Sequence, residues 1–172
     1  MTGRRLAETV DLLRTVDPIG VWGNHDLGFC IGDPCEPLLR FDASTRDFFR
    51  RLQPSLQIGE FYFSHGLPHW DPCDPVEYYI GDPPRNPAAV AQTFDECSGQ
   101  VFFTGHFHEW FVSSEAGQIP FDAAQPFEFA AGNRYLMVIH AVLNGWCAVL
   151  DTQTRVLTPH PIECAYQTPP RD

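Results

Sequence analysis

The sequence contains no lysine, because all 11 of its basic residues are arginine. This absence excludes a lysine nucleophile, a Schiff base and a phosphate-loop lysine. Positive charge is scarce in general, and the 22 acidic residues give a formal net charge of -11. Such a chain repels nucleic-acid backbones and anionic membrane surfaces. A small phosphorylated substrate remains compatible with this charge if a metal ion supplies local positive charge.

Paired cysteines and long apolar runs are also missing. None of the six cysteines forms a C-x-x-C pair, which argues against a thiolate zinc ribbon. No run approaches the ~18 apolar residues of a membrane span, and the N-terminus lacks the apolar stretch of a signal peptide. These features predict a cytoplasmic protein with reduced thiols. A disulfide between Cys30 and Cys35 is the alternative.

The composition is that of a folded chain. Hydrophobic residues make up 44% and aromatic residues 13% of the 172 residues, which excludes disorder. The length suits one domain over residues 1–172 and is too short for two ordinary domains.

The first half of the sequence alternates helical and strand patterns. Apolar spacing predicts a helix over 4–16 and a short strand over 19–22. Ser44 and Thr45 offer an N-cap for a helix near 46–53. A hairpin is predicted over 55–64, with Gly59-Glu60 as its turn.

A long loop and a run of strands follow. Residues 66–87 are rich in proline and aspartate and are predicted to form a lid-like loop. Asn86 and Pro87 begin a helix that reaches about Cys97, and strand 101–104 comes next. Further strands are predicted over 110–113, 127–130, 135–142, 146–151 and 155–158, with Asn144-Gly145 as a hairpin turn. This order predicts an α/β fold, in which a mixed sheet with outer helices packs on an antiparallel sheet.

Three strand-like segments each end in a turn that carries histidine. The turns are Gly23-Asn24-His25-Asp26, His65-Gly66 and Gly105-His106-Phe107-His108. Open α/β sheets place ligands at the carboxyl ends of their strands. Imidazole nitrogen and amide oxygen are suitable ligands for zinc, iron or manganese, and His106 and His108 could serve two ions about 3.5–4 Å apart.

The first of these turns also offers proton-transfer chemistry. His25 lies beside Asn24 and suits a general acid that protonates a leaving alkoxide. Asp26 follows it and could orient the imidazole by accepting a hydrogen bond from its other nitrogen.

These motifs resemble the last three sequence blocks of the calcineurin-like metallophosphoesterases, and the resemblance runs from about residue 5 to about residue 160. It implies a four-layer fold with two packed mixed sheets flanked by helices. It also implies that Asn24, His65 and His106 bind a second metal, that His108 binds a first metal, and that His25 contacts phosphate. The family uses pairs of iron, manganese, zinc or nickel ions to hydrolyse phosphate mono- and diesters.

The family's first two blocks, Asp-x-His and Gly-Asp-x-x-Asp, do not occur here. They carry three ligands of the first metal, including the carboxylate that bridges the pair. We therefore expect an N-terminally incomplete fold, the C-terminal two-thirds of the domain, that binds fewer than two ions and has weak or no activity alone. Trp22 stands where the protein-phosphatase branch has a phosphate-binding arginine, which disfavours that branch.

Three hypotheses remain open from the sequence. The first is a truncated metal-dependent phosphoesterase. The second is a non-catalytic remnant that uses the acidic loop 66–87 to bind a partner. The third is a hydrolase that uses one ion held by Asn24, His65 and His106, with or without His108. The substrate, the identity of the metal and the oligomeric state do not follow from the sequence.

Overall fold

A computed structural model describes residues 5–32 and 39–163. Its N-terminal part contains three helices: α1 (Leu6–Arg14), α2 (Leu27–Cys30) and α3 (Ala43–Arg50). The two longer helices confirm the predictions for 4–16 and 46–53. The predicted cap was wrong by two residues, because the Asp42 carboxylate accepts the Thr45 backbone N–H at 2.7 Å. A carboxylate at that position satisfies a donor that the first turn leaves free.

The predicted strand at 19–22 was wrong as a strand, since its pairing among the described residues is one parallel bridge between Val21 and Gln53. Pro18 lacks an N–H at one end of the segment. At the other end a turn begins at once, in which the Asp26 N–H donates to the Gly23 carbonyl at 2.8 Å. The extended stretch is therefore too short for a ladder.

A six-stranded mixed sheet forms the centre of the fold. Its strands are β1 (Ser55–Ile58), β2 (Phe61–Ser64), β3 (Val101–Thr104), β4 (Phe111–Ser114), β5 (Gly117–Ile119) and β7 (Tyr135–Val138). They lie in the order β1-β2-β3-β7-β4-β5. Strands β2, β3 and β7 are parallel, and the other neighbours are antiparallel. The hairpin at 55–64 and strand 101–104 are confirmed. Strand β5 was not predicted.

The second sheet has three antiparallel strands in the order β6-β9-β8. They are β6 (Phe127–Glu128), β8 (Trp146–Asp151) and β9 (Val156–Pro161). The hairpin prediction at Asn144-Gly145 was wrong. Asn144 ends a short 3₁₀ helix (Val142–Asn144) and Gly145 follows with φ 82°, so this turn carries the chain from β7 in one sheet to β8 in the other.

Alternation along the central strands gives the large sheet two buried faces. Phe102 packs with Leu136 and Val138 on one face, beneath α5 (Pro87–Glu96). Val101 and Phe103 point to the opposite face, into a cluster that includes residues of the small sheet. Side chains of a strand alternate between faces, so one strand serves both cores. The predicted mixed α/β architecture, with two sheets flanked by helices, is confirmed.

Two helices lie between β2 and β3. The predicted start of α5 is confirmed, because the Asn86 side chain accepts the Ala88 N–H at 3.0 Å and Pro87 occupies the first turn. The loop 66–87 contains the short helix α4 (Glu77–Ile80), and its role as a lid stays a prediction. In the part of the chain that the structure describes, the helices are too short or too polar to cross a membrane.

Candidate metal centre

The parallel pair β2 and β3 brings two of the predicted ligands together. His65 directly follows β2, and His106 lies two residues beyond β3. The His65 carbonyl accepts the backbone N–H groups of Gly105 at 3.1 Å and His106 at 3.0 Å. The buried Thr104 hydroxyl donates to the same carbonyl at 2.6 Å. These three hydrogen bonds to one carbonyl fix the two turns relative to each other.

Asn24 reaches the same point from the N-terminal part of the chain. Its turn is held by the Trp22 indole, which donates to the Pro72 carbonyl at 3.3 Å. Gly23 permits the close approach, because a Cβ there would lie 2.9 Å from Cε1 of His65. The sequence placed this glycine in a motif, and the structure gives the steric reason for it.

Three polar side-chain atoms lie close together at this edge of the sheet. Nε2 of His65 lies 3.0 Å from Oδ1 of Asn24 and 3.3 Å from Nδ1 of His106. Nε2 of His106 lies 2.8 Å from the Tyr78 carbonyl. The predicted grouping of Asn24, His65 and His106 therefore exists as a spatial cluster.

Burial favours the neutral form of both rings. It lowers the pKa of His65 to about 4, and the charges of His106, His108 and His25 act in the same direction. Burial also lowers the pKa of His106, although the hydrogen bond to Tyr78 opposes this effect. Neutral imidazole is the form that binds metal ions, so neither ring has to lose a charge at neutral pH. Nε2 of His65 donates to the Asn24 oxygen in this structure, because an amide oxygen can only accept, so His65 must change tautomer to bind an ion through Nε2.

The spacing of the cluster fits one metal ion. Ligand atoms at about 2.1 Å from an ion lie about 3.0 Å apart at a right angle and about 3.4 Å apart at the tetrahedral angle. The two observed separations, 3.0 Å and 3.3 Å, fall in that range. The composition of the cluster, two imidazoles and one amide, fits an ion less well, since within residues 5–32 and 39–163 no group of three or more His, Cys, Asp or Glu side chains is placed to hold a metal ion.

The remaining predicted residues lie around this cluster. His25 and His108 are exposed, and both act electrostatically on His65. His108 has a positive φ of 54°. The Asp26 carboxylate accepts the Gly23 N–H at 2.9 Å, and burial raises its pKa while that hydrogen bond and His25 lower it. The proposed roles of His25, Asp26 and His108 stay predictions.

Two groups at the site were not singled out from the sequence. The Tyr78 carbonyl is a backbone atom, and no sequence pattern points to it. His140 lies two residues beyond β7, at the same sheet edge, and its Nδ1 accepts the Ala141 N–H at 2.9 Å. The rule that polar residues follow strand ends could have identified His140, but the predicted strand 135–142 enclosed it.

One solved structure places this architecture among known folds. The crystal structure of a metallophosphoesterase from Sphaerobacter thermophilus superposes with a TM-score of 0.68 over 91% of this chain and 71% of that chain, at 22% sequence identity. The fold is that of a metallophosphoesterase. No family model matches the sequence, and no curated protein matches it. His65 and His106 follow the carboxyl ends of the parallel strands β2 and β3, where α/β proteins bind ligands, and Asn24 lies beside them.

Proposed function

We propose that this protein is a metal-dependent phosphoesterase that hydrolyses a phosphate mono- or diester of a small substrate. The observation that carries the proposal is that Asn24 Oδ1 and His106 Nδ1 lie 3.0 Å and 3.3 Å from His65 Nε2, separations that two ligands of one ion also show. The metallophosphoesterase fold supports it. The net charge of -11 agrees with a site whose positive charge comes from metal.

The chain's own residues divide the work in this proposal. Asn24, His65 and His106 hold a divalent ion, for which manganese, iron, zinc and nickel are the candidates. A bound ion of this kind polarises a phosphoryl oxygen and lowers the pKa of a bound water. His108, on the exposed side of the turn, is a further ligand. His25 gives a proton to the leaving oxygen, and Asp26 orients the His25 ring.

The neutral character of the three ligands limits the expected activity. Carboxylates offset the dehydration of a dication far better than neutral donors do. We therefore expect weak metal affinity and weak turnover from these ligands alone. The prediction of an incomplete site is tested by reading the genomic sequence upstream of Met1. An in-frame Asp-x-His followed by Gly-Asp-x-x-Asp supports it, and an in-frame stop directly upstream contradicts it.

The direct test is an assay on the purified chain. The chain is stripped with a chelator and reloaded separately with manganese, zinc, iron or nickel. It is then assayed on p-nitrophenyl phosphate and bis-p-nitrophenyl phosphate. We expect metal-dependent hydrolysis that is lost in His65→Ala and kept in His160→Ala, because His160 is exposed on β9. Hydrolysis that survives in His65→Ala would contradict the proposal.

A hydrolase that uses a single ion is the second candidate. It is favoured because Asn24 Oδ1 and His106 Nδ1 both lie within 3.3 Å of His65 Nε2, and catalytic zinc sites commonly have three protein ligands and an open position. Elemental analysis separates the candidates, since active chain with one ion supports the single-ion enzyme and two ions support the pair. A chain that binds no metal and hydrolyses neither ester favours the binding module instead.

A further inference from the structure

Helix α4 brings a backbone acceptor to the candidate centre. Its four residues end at Ile80, and the last carbonyls of a helix have no partner within it. The Val76 and Glu77 carbonyls still accept N–H groups of the helix and of Gly81. The Tyr78 carbonyl instead lies 2.8 Å from Nε2 of His106.

This contact determines which nitrogen of His106 carries the proton. A carbonyl oxygen can only accept, so Nε2 of His106 must be the protonated nitrogen. In the neutral ring, Nδ1 is then a lone pair, and it faces Nε2 of His65 at 3.3 Å. Metal-binding histidines commonly donate their other N–H to a carbonyl, which fixes the ring and raises its basicity. The structure thus holds His106 in its metal-binding form before an ion arrives.

The position of α4 is itself set by tight packing. Tyr78 is 5% exposed, and its hydroxyl donates to the Pro72 carbonyl at 3.2 Å. Its ring lies edge-on to Trp70 at 6.0 Å. Two glycines make room for these rings. A Cβ at Gly66 would lie 2.7 Å from Trp70, and a Cβ at Gly81 would lie 2.5 Å from Trp70 and 2.6 Å from the Glu77 carbonyl.

We propose that Tyr78 is a positioning residue, whose backbone carbonyl holds His106 with its proton on Nε2 and its Nδ1 lone pair directed at the shared ion position. The segment 66–81 thereby sets metal affinity, in addition to any role as a cover. The proposal rests on the metal centre of the proposed function. In this proposal the position of α4 determines the tautomer of His106, and the Tyr78 hydroxyl contributes little to it.

The first test is the tautomer of His106 in the metal-free chain. Long-range ¹H–¹⁵N correlation spectra of ¹⁵N-labelled protein distinguish a protonated ring nitrogen from an unprotonated one. We expect one tautomer, with the proton on Nε2. A spectrum with the proton on Nδ1, or with the two tautomers equally populated, would overturn the proposal. This result does not depend on hydrolysis or on the behaviour of any variant.

The second test displaces α4. Gly81 has extended backbone with φ -64° and ψ 149°, which alanine also adopts, so the added Cβ of Gly81→Ala acts by collision alone. We expect a mixed His106 tautomer and a zinc affinity at least about tenfold weaker, as measured by competition with a chromophoric chelator. Ile80→Ala is the matched control, because Ile80 is 78% exposed on the same helix, and Tyr78→Phe should keep the wild-type tautomer.

The outcomes of the second test separate the proposals. A folded Gly81→Ala variant with the wild-type tautomer and wild-type zinc affinity would overturn the positioning role. If Gly81→Ala does not fold, Gly66→Ala is the alternative, because its Cβ would collide with the Trp70 and Tyr78 rings. A folded Gly66→Ala variant with the wild-type tautomer and wild-type zinc affinity would likewise overturn the positioning role. The wild-type chain could lack esterase activity while Gly81→Ala still changes the His106 tautomer and weakens zinc binding as expected. That result would contradict the proposed function and leave the positioning role intact.

Discussion

The two sides of the candidate centre are built differently. His65 and His106 follow neighbouring strands of a six-stranded sheet. All four residues of β3 are almost fully buried, and Phe61 anchors β2 in the core. Asn24 belongs to a region with its own small core of Val10, Phe29, Phe48 and Phe49. The Val21–Gln53 bridge lies within that region, which contacts the rest of the site through the indole of Trp22 and the Asn24 side chain itself.

This difference separates the rigid part of the site from its adjustable part. A ladder of backbone hydrogen bonds fixes the relative position of His65 and His106. A few side-chain contacts decide whether Asn24 joins them. Local stability in proteins follows such differences in buried contacts. We therefore expect the N-terminal region to open more readily than the sheet, and Asn24 to leave the cluster when it does.

The largest effect is expected when the small core is broken. Phe49 is 7% exposed and stacks on Phe29 at 4.6 Å. Phe49→Ala should destabilise the region by about 3–5 kcal/mol. Hydrogen exchange followed by mass spectrometry should show faster exchange in peptides from 5–32 and 39–54, with 101–104 and 135–138 still protected. A uniform rise in exchange rate over the whole chain would show that it unfolds as one cooperative unit. It would contradict the expectation that the N-terminal region opens more readily than the sheet.

Removal of a ligand from the rigid side should have the next largest effect. His106→Ala is expected to weaken zinc binding about 100-fold or more, since it removes both an imidazole ligand and the anchor to Tyr78. Asn24→Ala should cost about tenfold, because an amide oxygen is a weaker ligand for zinc. Calorimetric titration with zinc checks both values, with His160→Ala as the control. Equal losses of zinc affinity in His106→Ala and Asn24→Ala would mean that the two sides of the centre contribute equally to metal binding.

A smaller loss is expected when the two sides are pushed apart. The Cβ of Gly23→Ala would lie 2.9 Å from the His65 ring, which must shift away from Asn24. We expect a loss of about tenfold in zinc affinity with a nearly unchanged melting temperature. Gly20→Ala is the control, because its Cβ would meet only the Leu52 side chain at 3.2 Å. Equal zinc affinities in the two variants would exclude a steric role for Gly23.

The smallest effect concerns pH and lies outside the centre. Burial lowers the pKa of His69, against the opposing charges of Glu96 and Glu77, and its Nδ1 lies 2.9 Å from the Thr93 hydroxyl. A lowered pKa means that the unfolded chain binds more protons, so stability rises with pH up to about 6.5 and is lost as pH falls through the folded pKa.

Denaturant unfolding at several pH values checks this expectation. The stability difference between the wild type and His69→Asn should grow as pH rises towards 6.5 and stay constant above it. His160→Asn, at an exposed position, controls for the loss of a histidine. A difference that shrinks as pH rises would contradict the sign of the shift.

Local patterns predicted the elements that depend on local chemistry. The Asn86-Pro87 start of α5 and the apolar strands β2 and β3 could be predicted because caps and burial leave a signature in sequence. The turn at Asn144-Gly145 was misjudged, since the same left-handed glycine serves a hairpin or a crossing between sheets. The Tyr78 carbonyl could not be predicted, because its role comes from tertiary packing against Trp70 and not from its own residue type.

The cluster of Asn24, His65 and His106 is the central claim, and one measurement tests it most directly. Crystals of the chain soaked with zinc or manganese are measured at the absorption edge of the metal. We predict an anomalous peak within bonding distance of Asn24 Oδ1, His65 Nε2 and His106 Nδ1. Data from a metal-loaded crystal that show the ion elsewhere, with these three atoms unligated, would contradict the account.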